Sequence, residues 1–241
     1  MTTLQAPWES QIGPDSFWSE VDEQILPVDA RRRLTAAGIR CGTVGQQLPA
    51  ELQQLLDRAR SDANVVDPDG KTIDVTGPRH RRLQCRAGQR QQIPLADVQQ
   101  EINLLWRDQG RVRGATYLDA QPLFVLRVEP QPSGEAEVAL VPQILHGAPK
   151  NRYVGRDGMF LMETGKEEKL FDDLAIEATL SLGECLVIGC TAGQEGLGER
   201  FFCSELHDPR PKLLILRLAH TQRDDVQGSA EKPQPLVTPT E

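Results

Sequence analysis

The chain has 241 residues, a formal net charge of −8 and only 5% aromatic residues. The acidic balance argues against a general nucleic-acid or anionic-membrane binder, because such proteins gain affinity by neutralising phosphates with basic side chains. No stretch approaches the roughly 18 consecutive apolar residues of a transmembrane helix. The polar N-terminus also lacks the basic and apolar regions of a signal peptide. We therefore expect no nucleic-acid partner, no membrane span, and a cytoplasmic location, or a periplasmic one if a leader has been removed.

The N-terminal part of the chain is predicted to be helical after a flexible start. Residues 1–14 are assigned to a flexible N-terminus. Asp15 can cap a helix that ends before Pro27, because proline does not fit a helix interior. Asp29 can cap a second helix, with Gly38 as its C-terminal residue.

A strand and a third helix complete this lobe, which is assigned to residues 15–66. Ile39–Val44 is predicted to be a short strand. Pro49 can open a helix over residues 50–60, because the first helical turn tolerates proline. The order of helix, strand and helix favours a small α/β lobe, and a helical hairpin packed across a sheet is the alternative.

The hydrophobic period changes from 3.6 to 2 after a Pro-Gly turn at residues 67–70, so residues 67–221 are assigned to an antiparallel β-domain. Leu83, Cys85 and Ala87 alternate with polar residues and predict a half-buried strand. Residues 102–106 and 112–117 flank a turn and favour a hairpin. The alternative is a helix over residues 96–106, where apolar residues also have helical spacing.

Two further alternating segments predict paired strands. Their apolar positions are Phe124, Leu126 and Val128 in the first segment and Val138, Leu140 and Ile144 in the second. Pro142 lies within the second segment. Because proline has no N–H for a strand ladder, we expect Pro142 at a sheet edge or a bulge.

The C-terminal third predicts two more buried strands and a tail. In the first of these strands, the residues expected to face the protein core are Leu174, Ile176, Ala178 and Leu180. The unbroken apolar run at residues 213–218 predicts a central strand that is buried on both faces. Residues 222–241 are polar and proline-rich, which predicts a disordered tail. The predicted fold class is α+β, with a small helical or α/β N-terminal lobe followed by a larger antiparallel sheet or sandwich.

The five cysteines do not form a disulfide pattern, and they include one candidate metal site. Cys185, Cys190, Cys203 and His207 have the ligand types that zinc prefers. However, residues five apart in a strand point to opposite faces, so Cys185 and Cys190 should not reach the same ion. We expect the protein to fold without zinc, with the cysteines mostly as small buried residues.

Other chemical motifs are weak, and we expect no catalytic residue and no bound cofactor. His146 is the most site-like histidine, but it has no nearby nucleophile pattern. Asp172 and Asp173 are neighbours, so their carboxylates should point apart. The glycine-rich residues 193–198 carry an acidic side chain and are predicted to be a flexible loop without a following helix.

A run of arginines lies near the start of the β-domain and is the strongest basic feature. Its members are Arg79, Arg81, Arg82, Arg86 and Arg90. A nucleic-acid face would bring more aromatic residues and a basic total charge. We expect a solvated strand face or a contact with an acidic protein surface.

The order of the C-terminal segments resembles the C-terminal domain of bacterial secretins, the ring-forming proteins of secretion and pilus machines. The segments are PLFVLRVEPQPSGEAEVALVPQI (122–144), LFDDLAIEATLSLGECLVIGC (170–190), GLGERFF (196–202) and KLLILRL (212–218). The likeness covers residues 83–219, with Cys190 where that family has a second glycine. It implies a secretin-like sheet.

These features favour a non-enzymatic assembly or protein-binding component of a bacterial envelope or secretion machine. Its partners would be proteins, including copies of itself. Two alternatives from other classes are an enzyme of unrecognised type working around His146 and a zinc-stabilised binding module.

Overall fold

A computed structural model describes residues 1–7, 14–50, 52–54, 57, 79–108, 111–156, 159–191, 193–194, 196–203 and 211–221. The described strands are β1 Thr2–Pro7, β2 Ile39–Val44, β3 Arg79–Arg82, β4 Gln91–Pro94, β5 Gln99–Asp108, β6 Arg111–Pro130, β7 Ala136–Arg156, β8 Met159–Leu170, β9 Ile176–Leu180, β10 Cys185–Cys190 and β11 Lys212–Arg217. The helices are α1 Pro14–Ser19, α2 Val28–Ala36 and α3 Leu197–Phe202, with 3₁₀ turns at Glu23–Ile25 and Asp172–Leu174. The predicted α+β class is confirmed.

The first sheet has the strand order β2-β10-β11-β1-β3, and every neighbouring pair is antiparallel. The predicted central strand is confirmed as β11. Leu214 and Leu216 contribute to one hydrophobic cluster, whereas Leu213 and Ile215 contribute to another. Because successive strand residues face opposite sides, a strand between two apolar layers needs an unbroken apolar run.

The second sheet is an antiparallel meander around β6 and β7. β4 and β5 follow one another along one side of β6, and Leu95 N–H bridges them by donating to Pro122 O at 3.1 Å. β8 and β9 follow one another along the far side of β7. The predicted hairpins β5–β6 and β6–β7 are confirmed, and the alternative helix over 96–106 is wrong.

Pro142 lies inside the meander rather than at its edge. The pairing of β7 with β9 ends at Leu140, and its pairing with β8 begins at Gln143. Pro142 O accepts a hydrogen bond from Phe171 N–H at 3.0 Å. The carbonyl group of Pro142 therefore points towards this break in the pairing rather than towards β6. The missing N–H therefore removes no bond from the β6–β7 ladder, because the N–H and C=O of an antiparallel residue point the same way.

The two sheets pack as a sandwich, with α1 on one outer face and with α2 and α3 contributing to the core between the sheets. The core between the sheets includes Leu186, Ile188, Leu214 and Leu216 from the first sheet and Phe124, Leu126, Leu140 and Ile176 from the second. The outer face of the first sheet packs against Phe17, Trp18 and Leu52. As predicted, Leu174, Ile176, Ala178 and Leu180 are all buried, although β9 itself begins only at Ile176.

Several local predictions need correction at the N-terminal end. Within the predicted flexible start, Thr2–Pro7 forms β1, which pairs with β11 on one side and β3 on the other, and residues 8–13 lie outside the described residues. The first helix ends at Ser19, and the chain then forms the turn Glu23–Ile25. Asp29 lies in the first turn of α2 rather than at its cap, which is Pro27.

The predicted strand through Leu83, Cys85 and Ala87 is also wrong. β3 ends at Arg82, and the following residues lead through a turn at Gly88, whose φ is +69°, into β4. Leu83 and Cys85 are half-buried because they pack against the core from a loop.

Some predictions lie outside the described residues. They include the turn at 67–70, the tail at 222–241, and most of the helix at 50–60, of which residues 50, 52–54 and 57 are helical. The division into a lobe at 15–66 and a domain at 67–221 stays a prediction. Among the described helices, none has the length and apolar character needed to cross a membrane.

Candidate functional site

The meander divides into two β-hairpins at one end. β6 and β7 pair with each other only as far as Gln121 and Leu145. Beyond that point β6 pairs with β5, and β7 pairs with β8. We call residues 99–120 hairpin A and residues 146–168 hairpin B.

The backbone is unusual where the hairpins separate. Asp119 has φ +48° and is the only non-glycine residue with positive φ among the described residues, and Gly147 has φ +74°. The β7–β8 register shifts between His146 and Lys150. Lys166 Nζ donates to the carbonyl oxygen of Asp119 at 2.7 Å, which ties hairpin B to hairpin A.

His146 lies at this branch, in a cluster of polar side chains. Its ring centroid is 4.8 Å from that of Tyr117, and its Nδ1 is 3.9 Å from Glu167 Oε2. Lys150 donates a hydrogen bond to Glu167. That bond and the lysine charge lower the pKa of Glu167, whereas burial raises the pKa of Tyr117.

This cluster does not have the geometry of a nucleophilic site. The Glu167 carboxylate is shared between His146 and Lys150, and its side chain is half exposed. Within the described part of the chain, no serine or cysteine is hydrogen-bonded to His146. The arrangement can hold the two hairpins at a fixed separation through the Tyr117–His146 ring contact and the Lys166–Asp119 hydrogen bond.

Hairpin A presents an apolar row on its outer face. Leu105, Val112 and Leu118 are 63%, 66% and 58% exposed. The register pairs them with Gly114, Arg107 and Glu101, respectively, which places all three on the same face. The other face is buried and contributes Ile102, Leu104 and Tyr117 to the core.

A polar pair lies at the centre of this outer face. Thr116 Oγ1 donates to Asn103 Oδ1 at 2.6 Å across the two strands. A Cβ on Gly114 would lie 3.0 Å from Leu105 Cδ2, so the leucine lies over the glycine backbone. The outer face therefore carries apolar residues on either side of a polar pair.

Hairpin B repeats part of this arrangement. Thr164 Oγ1 donates to Asn151 Oδ1 at 2.6 Å, with the same separation of 13 residues as in hairpin A. Met162 on the same face of β8 is 61% exposed. The two hairpins thus carry the same cross-strand polar pair next to exposed apolar side chains.

The remaining candidate residues are dispersed. Asp172 and Asp173 are exposed in a 3₁₀ turn, and Arg33 Nε donates to Asp173 O at 2.8 Å. The described side chains of the arginine run are exposed, and Arg86 and Arg90 lie in a loop rather than on a strand face.

The proposed zinc ligands converge only in part: Cys190 Sγ and Cys203 Sγ lie 3.3 Å apart, but Cys185 does not join them. Cys185 packs in the cluster under α1, whereas Cys190 packs on the opposite face of the first sheet, as expected from their spacing. His207 lies outside the described residues. Among those described, no group of three or more histidine, cysteine or acidic side chains could hold a metal ion.

The expectation of a loop without a following helix at the glycine-rich residues 193–198 is wrong. Leu197–Phe202 forms α3, and Leu197, Phe201 and Phe202 are fully buried. Phe201 contacts Phe124 and Phe171 with centroid distances of 5.8 and 6.5 Å. Burial of aromatic side chains stabilises this short helix, and a six-residue segment shows no clear helical period by itself.

Comparison with known proteins adds no relative: no family model, no curated protein and no solved structure matches this chain.

Proposed function

We propose that this protein is a non-enzymatic assembly component that binds further copies of itself through hairpins A and B. The observation that carries the proposal is the exposed apolar row of Leu105, Val112 and Leu118 on one face of hairpin A. The secretin resemblance supplies the proposed setting, a bacterial envelope or secretion machine.

The distribution of exposed apolar residues supports an interface at the hairpins. Among the described residues, the four most exposed large hydrophobic side chains are Val112, Leu105, Met162 and Leu118. All four lie on hairpins A and B. Exposed apolar side chains grouped on one face mark interaction sites, because leaving them in water costs roughly 25 cal/mol per Å².

The strand edges support copies of the same chain as the partner. Within the described part of the fold, β5 pairs only with β6, and β8 pairs only with β7 in hairpin B, so each hairpin has a free outer edge. Because neighbours in the meander alternate in direction, β5 and β8 run antiparallel. The β8 edge of one copy can therefore pair with the β5 edge of the next and continue the alternation.

Such a contact joins two different edges and is therefore heterologous. Repetition of a heterologous contact gives a closed ring where the rotation closes, and a filament where it does not. The polar branch cluster around His146 would fix the angle between the two edges and thus the number of copies in a ring.

Size-exclusion chromatography with light scattering tests this proposal. The wild-type chain should form oligomers, and a variant carrying Leu105→Ser, Val112→Ser and Leu118→Ser should be monomeric. A control variant carrying Ile25→Ser, Val28→Ser and Leu182→Ser removes exposed apolar residues outside the hairpins and should assemble normally. Circular dichroism checks that both variants are folded.

Two outcomes would overturn the proposal. One is a wild-type chain that stays monomeric at all accessible concentrations. The other is an oligomer that survives unchanged in the folded hairpin variant, since the interface would then lie elsewhere.

A further inference from the structure

Two of the five cysteines lie side by side in the folded protein. Cys190 ends β10, and Cys203 follows the last residue of α3. Their Sγ atoms are 3.3 Å apart, and both residues are half-buried free thiols. The other cysteines are separate: Cys41 and Cys185 are buried, and Cys85 hydrogen-bonds to Gln91.

The folded backbone imposes this approach. Thr191 N–H, directly after Cys190, donates to Gly38 O at 2.9 Å. At the other end of the segment, Cys203 N–H donates to Glu199 O at 2.7 Å, which keeps the cysteine on the helix. Both sulfur atoms are therefore held in place before any bond forms between them, and little further movement is needed to reach disulfide geometry.

We propose that Cys190 and Cys203 form a reversible disulfide that fixes α3 to β10. The oxidant is a low-molecular-weight disulfide such as oxidised glutathione. The Cys190 thiolate attacks one sulfur of the oxidant, and one thiolate leaves. Cys203 then loses its proton to solvent and attacks the Cys190 sulfur, which expels the second thiolate. In total the two cysteines lose two protons and two electrons, and the oxidant is reduced to two thiols.

The electrostatics of the pair support this order of steps. The hydrogen bond with Cys203 lowers the pKa of Cys190, and the same bond together with burial raises the pKa of Cys203. The negative charge of Glu199 raises the pKa of both thiols. Cys190 is therefore the thiol that ionises first, and Cys203 resolves the mixed disulfide.

The disulfide would control a part of the fold that joins both sheets. α3 places Phe201 and Phe202 in the core, and its residues Glu199 and Arg200 flank a groove beside Leu104 and Ala115 of hairpin A. Oxidation would close the segment between the two cysteines into a covalent loop. Local opening of α3 would then become slower, because the open state loses conformational freedom.

Oxidised glutathione added to the reduced full-length protein tests the proposal. Peptide mapping by mass spectrometry should show one Cys190–Cys203 cross-linked pair, with a loss of two hydrogen atoms that dithiothreitol restores. Hydrogen exchange in residues 196–203 should slow several-fold in the oxidised protein. Cys203→Ser should give a stable glutathione adduct on Cys190 and no cross-link, whereas Cys85→Ser should form the cross-link normally.

Glutathionylation of Cys85 without any Cys190–Cys203 cross-link in the wild-type chain would overturn the inference. A stoichiometric zinc ion that both thiols bind would overturn it as well. The wild-type peptide map decides the question even where a serine variant fails to fold. The result is also independent of assembly, so a monomeric protein could still form the disulfide.

Discussion

The backbones of Gly38 and Gly198 touch, and a Cβ built on Gly198 would overlap the carbonyl oxygen of Gly38. The adjacent hydrogen bond, from Gly198 N–H to Ala37 O, is 2.8 Å long. This contact joins the turn between α2 and β2 to the first turn of α3. Neither backbone can move aside without breaking that hydrogen bond or the Thr191–Gly38 bond beside it.

Gly198→Ala should therefore destabilise the protein. The new methyl group meets backbone rather than a flexible side chain, so we expect a loss of about 2–3 kcal/mol in the free energy of unfolding. Gly45→Ala is the matched control, because a Cβ there has no neighbour within 4 Å. Urea unfolding of both variants provides the measurement, and equal midpoints for the two would contradict the close approach.

Alkaline pH should destabilise the protein through Cys185. Burial raises the pKa of this thiol to about 11, whereas its ordinary value is 9.0. The thiol therefore contributes stability that is complete below pH 9 and is lost as the pH rises towards 11, because the unfolded state ionises first. Over this pH interval, the free energy of unfolding of the Cys185→Ala variant should fall by up to about 2 kcal/mol less than that of the wild type. Parallel urea titrations under reducing conditions measure the difference, and identical pH slopes would refute it.

Replacing Lys150 should change the pKa of Glu167, its hydrogen-bond partner in the polar cluster around His146. Its pKa lies below the ordinary value chiefly because Lys150 donates a hydrogen bond to it. Lys150→Gln should raise this pKa towards the ordinary value. Lys166→Gln is the control, since Lys166 bonds to Asp119 O instead. Carboxyl NMR titration reports the values directly, and an unchanged Glu167 pKa in Lys150→Gln would show that the ion pair is absent in solution.

Deletion of residues 1–60 should abolish soluble expression or lower the melting temperature steeply. The deletion removes β1 and β2, which pair with β11 and β10, so it exposes both outer sides of that pair. A chain that ends at Gln222 should melt as the full chain does. If the shortened N-terminal variant melted normally, residues 15–66 would form an independent domain.

Sequence patterns predict the strands whose partners are close along the chain. The alternation of Phe124, Leu126 and Val128 with Val125, Arg127 and Glu129 precedes a Pro/Gly loop. It predicts the β6–β7 hairpin because both strands and their turn lie in one segment. The apolar run of β11 also predicts burial on both faces, because this pattern can be recognised within the segment itself without knowing its partner strands.

Elements defined by distant contacts could not be predicted in this way. Thr2–Pro7 contains one large apolar residue, Leu4, and shows no clear strand pattern. It forms a strand because it pairs with β11 on one side and with β3 on the other. The helix α3 depends on the burial of Phe201 and Phe202. Local propensity does not contain either interaction.

The same limit applies to predicting the candidate sites from the sequence. Alternation in hairpin A shows that Leu105 and Leu118 can share a face, but only the packing of the other face against the core shows that this face is outside. The approach of Cys190 and Cys203 depends on the docking of α3 against Gly38. No spacing rule in the sequence indicates that these two thiols meet.

The pairing of β1 with β11 also has a consequence for the order of folding. The meander consists of hairpins that can close as soon as their own segments leave the ribosome. β1 is synthesised first, yet Thr2 pairs with Arg217 near the other end of the described chain. Contacts between distant residues form slowly because the loop between them must first be closed. We therefore expect the meander to fold first, during synthesis. β1 would then pair with β11 last, which completes the native sandwich.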